Sequence, residues 1–243
     1  MRSGNPILKE DTFAPVGRGA VMTVQGTVTR ALILLVLAVA GASTVWGRAL
    51  AEPGSGVVGV GIAAGVLGGL VMAIATILRP AWAPVTAPIY ALLEGVFLGA
   101  ISAIFEARYP GIAIQAVALT FGTAFAMLAL YKAGILRATP AFTRGVVAAT
   151  GAIFLLYLAS FVLRLFGVEM PFLHDAGPIG ILISVAIVAV AALNLVLDFD
   201  LIERGAAGGA PRYMEWYGAF ALMVTLVWLY LEILRLLARL QRR

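Results

Sequence analysis

Five carboxylates lie in or beside two apolar runs between Asn194 and Glu232: Asp198, Asp200 and Glu203 close one run, and Glu215 and Glu232 belong to the next. Another, Glu94, stands about eight residues inside an earlier run. An Asp at the centre of a membrane helix costs about 2.5 to 3.5 kcal/mol on translocon-based scales, so ionisable groups at such depth line cavities or ion paths. Carboxylates that converge there can offer hard oxygen ligands to a cation such as Ca2+, or they can share a proton and titrate as coupled groups. Both make behaviour depend on pH. Asp198, Asp200, Glu94, Glu215 and Glu232 are the candidate ion or proton sites, Asp198 and Glu94 the candidate metal ligands, and Arg79 the candidate counter-charge.

Gly180, Ser184, Ile187, Ala191, Asn194 and Asp198 recur at spacings of three and four, which on a helix makes a narrow polar stripe leading to the acid. Asn194 is its polar lining. At 1.5 Å per residue Glu94 falls roughly 10 Å below the cytoplasmic surface, level with Asp198 near the end of its run and Glu215 near the start of the next. Plain readings stand beside these. Asp198 can be a simple helix-end carboxylate, although the last turn disfavours negative charge; Asp200 and Glu203 can be solvated near the loop; and an acid in a first turn, as at Glu215, is favoured without any function.

Other chemistries are excluded by what the chain lacks. It has no Cys and one His, His174, so thiolate and multi-histidine metal sites are out. Gly205-Ala206-Ala207-Gly208-Gly209 follows no strand and carries no Lys-Ser/Thr, so it is no phosphate cradle. Ser160 and His174 stand in no nucleophile-elbow motif, and no enzyme constellation remains.

The elements that must position the acids are membrane spans. Of 243 residues 62% are hydrophobic and 12% charged, and mean hydropathy is +1.03, far above what a soluble core of this size needs. Seven apolar runs, near 31–46, 57–78, 87–106, 111–131, 145–166, 178–199 and 216–237, each approach the roughly 20 residues of a spanning helix. The expected fold is an all-α integral membrane protein, a seven-transmembrane helical bundle over 31–240 after a retained, polar, cytoplasmic tail over 1–30. Met22 to Thr29 could form a short interfacial helix within that tail. Gly61, Gly65, Gly68 and Gly69 in the second run, and Gly95, Gly99 and Ser102 in the third, suit small-xxx-small helix packing.

Basic residues sit at the ends of runs and form no aromatic-interleaved patch, so the +5 net charge points to a lipid bilayer and not to nucleic acid. The tail and even-numbered loops hold ten Lys/Arg against three, Arg48, Arg108 and Arg164, in the odd-numbered loops, which places the N-terminus in the cytoplasm. Arg235, Arg239, Arg242 and Arg243 oppose this: either the last run does not cross simply, or the C-terminus is outside despite them. The span count favours the second.

Read together, these residues resemble the Bax inhibitor/YccA-like family, the transmembrane Bax-inhibitor-motif proteins. The most specific parts are Leu197-Asp198-Phe199-Asp200-Leu201-Ile202, Tyr217-Gly218-Ala219-Phe220 and Leu231-Glu232-Ile233-Leu234-Arg235; Asn5-Pro6-Ile7-Leu8-Lys9 and Tyr90-Ala91-Leu92-Leu93-Glu94-Gly95 are similar to its bacterial branch. The resemblance implies a seven-helix bundle with the last helix central, a pH-sensitive calcium leak, and a proton-sensing pair of aspartates on helices six and seven. Asp198 takes the first position. Matching Leu229-Tyr230-Leu231-Glu232 puts the second at Glu232, 17 positions past Glu215 and about 25 Å further along the helix, too deep to meet Asp198. Matching Ile233-Leu234-Arg235 puts Thr225 there instead, which keeps the depth consistent and is the preferred register. The sensor is then rebuilt from Asp198 with Glu94, Glu215 or Asp200, or is absent.

The expected function is a bacterial inner-membrane cation leak, for calcium, gated by carboxylates near Asp198, with no cofactor and Ca2+ only as the transported ion. The alternative is a non-transporting regulator that binds a membrane protease or another integral protein, its acids holding the bundle together.

Overall fold

The computed structural model describes residues 21–52, 56–167 and 177–242. The tail up to residue 20 and His174 lie outside the described residues, as do Asn5-Pro6-Ile7-Leu8-Lys9. Seven helices are long and apolar enough to cross a membrane. They are α1 (Val24–Ala51), α2 (Gly56–Leu78), α3 (Ala83–Arg108), α4 (Ile112–Lys132), α5 (Pro140–Leu165), α6 (Pro178–Ala207) and α7 (Met214–Gln241), with a 3-10 turn at Pro80–Trp82 leading into α3. No strand occurs among the described residues; Val21 and Pro211 form an isolated bridge.

Helix ends follow from local chemistry. Thr23 caps α1, its Oγ1 accepting from Gly26 N–H at 2.9 Å, and Thr139 caps α5, accepting from Phe142 N–H with Pro140 at the first helical position. The start of α4 is capped from the preceding helix: Glu106 accepts from Gly111 N–H at 2.5 Å and from Ala113 N–H at 3.0 Å, and the turn between them uses Gly111 at φ 87°.

Several boundaries differ from the hydropathy runs. Residues 24–30, assigned to the tail, are the first turns of α1, so Met22 to Thr29 is not a separate interfacial helix. α7 overruns both ends of its apolar run. α6 continues to Ala207, well past 199, because Asp198, Asp200 and Glu203 lower the hydropathy without breaking the helix. At 1.5 Å per residue α6 is about 45 Å long, beyond the roughly 30 Å of hydrocarbon.

Large apolar side chains such as Val36, Val39, Leu67, Phe125, Phe154 and Leu182 are exposed, whereas Asn194, Asp198, Glu215 and Glu232 are buried. In water such a surface would aggregate; in a bilayer it is the lipid face. α7, expected to be central, is the most buried span, at 61% of its most apolar window against 6% for α5.

The chain forms two compact units. The N-terminal unit comprises Ile7–Ala113 and Leu201–Val224, and the C-terminal unit is built from Ile114–Asp200 and Thr225–Arg243. In the N-terminal unit α1 and α2 pack on α3 through glycine. A Cβ on Gly95 or Gly99 would overlap the backbone of Ala38 or Ala42, one on Gly41 would overlap the Leu92 carbonyl, and one on Gly65 would overlap Phe97. The small-xxx-small expectation holds there, with Gly41 of α1 as an added member. At one end of this unit Val45, Ala49, Val58, Ala100 and Ala103 form a buried apolar cluster.

Candidate functional site

Asp198 is fully buried, and it lies nine residues before the end of α6 at Ala207. That overturns the reading of it as a helix-end carboxylate: two and a half further turns of helix separate it from the terminus. Thr225 Oγ1 of α7 donates to Asp198 Oδ2 at 2.6 Å. Thr225, the residue of the preferred register, is the one that meets Asp198 from α7. α7 presents a hydroxyl to Asp198 where the resemblance implies a second aspartate.

The stripe on α6 is the buried face of that helix, with Ser184, Ile187, Ala191, Asn194 and Asp198 all buried. Each polar member meets another helix of the C-terminal unit or its own. Arg239 Nη1 of α7 donates to Gly180 O at 2.7 Å and to Ser184 Oγ. Asn194 Nδ2 donates to Thr150 Oγ1 of α5 at 2.8 Å and to Val190 O at 2.9 Å.

Glu232 is closed into a triad. Its Oε1 accepts from Tyr157 OH of α5 and from Arg235 Nη1, each at 2.8 Å; Arg235 Nη1 also donates to Tyr157 OH at 3.1 Å and stacks over its ring at 5.4 Å. Glu232 is 2% exposed, while the Arg235 side chain is 43% exposed. Of the four C-terminal arginines that oppose the charge bias, Arg235 and Arg239 are thus held by packing partners. α7 is one continuous helix of 28 residues.

Of the remaining acids, Glu215 and Glu94 belong to the N-terminal unit. Glu215, 3% exposed, joins α7 to α1: its Oε1 accepts from Thr23 N–H at 3.0 Å and Thr23 Oγ1 at 2.9 Å, and its Oε2 lies 3.2 Å from Arg30 Nη2. Arg30 also lies over the Trp216 ring at 5.8 Å. The carboxylate therefore serves two helix starts at once, where partial positive charge favours it. Gly26 makes this possible, since a Cβ there would occupy the space of the Glu215 carboxylate. Met22 N–H donates to Ala210 O at 2.7 Å and completes the junction.

Glu94 is half-buried, with its carboxylate against Gly69 of α2 and beside Tyr90, one turn back on α3; the Tyr90 ring packs edge-on to Phe220 of α7 at 4.9 Å. Asp200 and Glu203 are half-buried as well. Arg79, the expected counter-charge, is exposed and lies over the Trp82 ring at 5.6 Å; Arg30 and Arg235 do face buried acids. Among the described residues no group of three or more His, Cys, Asp or Glu could hold a metal ion.

A family model described as Bax inhibitor 1 like matches residues 5–242, nearly the whole chain. The chain belongs to the Bax inhibitor 1 like family. No curated protein and no solved structure matches it. This Bax inhibitor 1 like protein is thus a multi-pass, seven-helix membrane protein in which Asp198 meets Thr225 of α7, Glu232 meets Tyr157 of α5 and Arg235 of α7, and Glu215 meets Thr23 and Arg30 of α1.

Sequence reasoning missed Tyr157, Thr150, Arg30, Thr23 and Glu106. For two of them a signal exists in the spacing. Thr143, Thr150 and Tyr157 recur every seven residues on α5, as do Thr225, Glu232 and Arg239 on α7, which keeps each set on one face. Glu106 carries no such pattern, since its role depends on a turn that doubles back.

Proposed function

We propose that this chain is a non-enzymatic cation leak of a bacterial inner membrane, passing Ca2+, and that protonation of Asp198 closes it. The observation that supports this reading is a fully buried carboxyl group deep within a spanning helix, held from α7 by the Thr225 hydroxyl. A charge in such a place has a use when a cation passes it. Ionised, Asp198 attracts a hard cation; protonated, it does not, so flux falls as pH falls. The test is Ca2+ flux into liposomes that contain only this protein, from about pH 5 to 8. Wild type should show a pH-dependent rise and Asp198→Asn a flat curve, and parallel curves would remove Asp198 from the mechanism.

A second reading, a regulator that binds a membrane protease or another integral protein, is favoured by Glu215 and Glu232. Glu215 ties α7 to α1 through its ion pair with Arg30, and Glu232 ties α7 to α5 through the hydrogen bond from Tyr157 OH, as structural acids would. Liposomes separate the two readings, because a regulator that depends on its partner passes no Ca2+ alone. On either reading the N-terminus is cytoplasmic and the C-terminus outside, and a C-terminal tag accessible only from the cytoplasm would overturn that orientation.

A further inference from the structure

The C-terminal end of α7 holds charge that the proposed ion path does not use. Arg235 stands 19 residues after Trp216, about 28 Å along the helix, where roughly 30 Å of hydrocarbon gives way to lipid headgroups. Its Nη1 serves Glu232 Oε1 and Tyr157 OH, but a guanidinium has five N–H donors and this side chain is 43% exposed, so donors remain at the surface. On α5 the exposed Arg164 continues the sevenfold line of Thr143, Thr150 and Tyr157, as Arg239 continues that of Thr225 and Glu232 on α7. The two spans cross in the same direction and are joined by the Tyr157–Glu232 bond, so Arg164 and Arg239 share one level two turns beyond it. Arg239 also holds the start of α6 there, through Gly180 O and Ser184 Oγ. Among the described residues of the C-terminal unit the acids are Asp198, Asp200 and Glu232, and only Glu232 stands at this end. Arg164, Arg235, Arg239 and Arg242 outnumber it; Glu169 and Asp175 of the α5–α6 connection lie outside the described residues.

Below Arg164 the surface of α5 is apolar and bare. Phe154, Leu158, Phe161 and Leu165 recur at spacings of three and four and are all exposed, which makes a lipid-facing stripe that ends at the arginine level. A ligand that fits both features has an anionic head and an apolar tail. We propose that Arg235 and Arg164 bind the headgroup of an anionic phospholipid, its phosphate on Arg235 and the rest of the headgroup against Arg164. A guanidinium takes phosphate oxygens through paired N–H groups, which suits Arg235 to the phosphate itself. Arg164 then sets the preference, because it repels the ammonium of a zwitterionic headgroup and accepts a glycerol or a second phosphate. This gives a use to arginines that oppose the charge bias of the loops and so do not serve orientation. The inference goes beyond the leak and regulator readings and depends on neither.

The experiment uses the purified full chain in neutral detergent, with phosphatidylglycerol as the probe and phosphatidylcholine as the comparison. A ligand that binds the folded state raises its melting temperature with concentration, so lipid-dependent thermal stabilisation reads the site without any need for flux. Wild type should respond to phosphatidylglycerol at about fivefold lower concentration than to phosphatidylcholine, the factor that one basic residue near a lipid surface supplies. Arg164→Gln should abolish that difference. Arg235→Lys keeps a cation beside Glu232 but loses the fork, and should move both responses to about fivefold higher concentration. Arg164→Gln keeps the proposal testable if Arg235→Lys does not fold. Arg108→Gln, an exposed arginine over Tyr109 in the N-terminal unit, should respond as wild type does, and inorganic phosphate at matched ionic strength should not stabilise. Equal responses of wild type to the two lipids, as neutralisation by Glu169 and Asp175 would give, overturn the proposal. So does a preference that survives in Arg164→Gln. Stabilisation by inorganic phosphate as strong as by phosphatidylglycerol would show a free-anion site instead, and an Arg108→Gln shift as large as that of Arg164→Gln would show only diffuse surface charge; either result overturns it.

Discussion

The two units hold their helices together by opposite means. At the α1–α3 and α2–α3 crossings of the N-terminal unit glycine brings backbone against backbone, while Gly122, Gly145 and Gly151 on α4 and α5 of the C-terminal unit have nothing within 4 Å of where a Cβ would stand. The C-terminal unit instead joins α5, α6 and α7 by side-chain hydrogen bonds: Thr225 to Asp198, Asn194 to Thr150, Tyr157 to Glu232, Arg239 to Ser184. Lipid gives helices no hydrophobic reason to associate, so close packing and interhelical hydrogen bonding are the two means left. They differ in consequence. A glycine crossing cannot accept an atom and cannot titrate. A polar seam accepts changes of volume, suffers from the loss of a partner, and can respond to protons and ions.

The largest expected effect tests the glycine side of the comparison. Gly95→Ala places a methyl group in the Ala38 carbonyl, which belongs to backbone and cannot move aside cheaply. It should cost about 3 kcal/mol, the upper part of the range for overpacking, and show as a lower melting temperature in detergent. Gly122→Ala should be neutral, or stabilising by about 0.5 to 1 kcal/mol, since it only improves the helix. Equal effects would erase the distinction between the units.

The N-terminal unit has polar junctions of its own, Thr76 to Thr86 between α2 and α3 and Glu215 to Thr23 and Arg30 between α7 and α1, and the second behaves as a lock. Glu215→Ala removes the acceptor for Thr23 N–H and Thr23 Oγ1 and leaves Arg30, whose Nε is already buried without a partner, facing no charge. The expected cost is about 2 kcal/mol, with faster hydrogen exchange in the first turn of α1. Gly26→Ala should be harmful alone because its Cβ meets the Glu215 carboxylate. Combined with Glu215→Ala that obstacle is gone, so the double variant should lose less than the sum of the two.

Much of this was legible in the order of residues, and for stated reasons. Apolar runs of spanning length marked all seven helices, since a membrane helix cannot hide its composition. Their ends were less legible: α6 was cut at its acids, because hydropathy counts Asp198, Asp200 and Glu203 as loop-like, whereas the backbone only needs its i to i−4 hydrogen bonds. The depth argument set Thr225 and not Glu232 opposite Asp198, and Thr225 does bond it, because the rise per residue is a fixed length. What stayed hidden was the partnership of α5. Thr150 and Tyr157 are uncharged in a run that reads as lipid-facing, and their sevenfold spacing acquires meaning only beside the matching residues of α6 and α7.

A smaller effect sharpens the polar side. Tyr157→Phe and Glu232→Gln each disturb the Glu232 triad, and a double-mutant cycle should return about 1 kcal/mol of coupling, as for one hydrogen bond to a charged group. Because this triad fastens α5 to α7 and is not the proposed gate, the single variants should leave the shape of the flux-against-pH curve as in wild type. A changed shape would move Glu232 into the ion path.

The smallest effect on stability carries the finest information about the seam. Thr225 is the residue through which α7 reaches Asp198, and a hydroxyl there donates a hydrogen bond without adding a titrating group. Thr225→Val should cost about 1 kcal/mol and leave a single-step pH curve, since Asp198 still exchanges one proton. Thr225→Asp sets a second carboxyl group 2.6 Å-class contact distance from Asp198, where Thr225 Oγ1 now stands. Two carboxyl groups so close titrate as a pair, in two macroscopic steps that belong to neither alone. The expected result is a flux curve from about pH 5 to 8 that broadens or divides into two steps, absent from Asp198→Asn/Thr225→Asp, in which one carboxyl group is left. A Thr225→Asp curve that overlays wild type would mean that protons act elsewhere than this contact, and the polar seam would then be a fastening of the same purpose as the glycine crossings, achieved with different atoms.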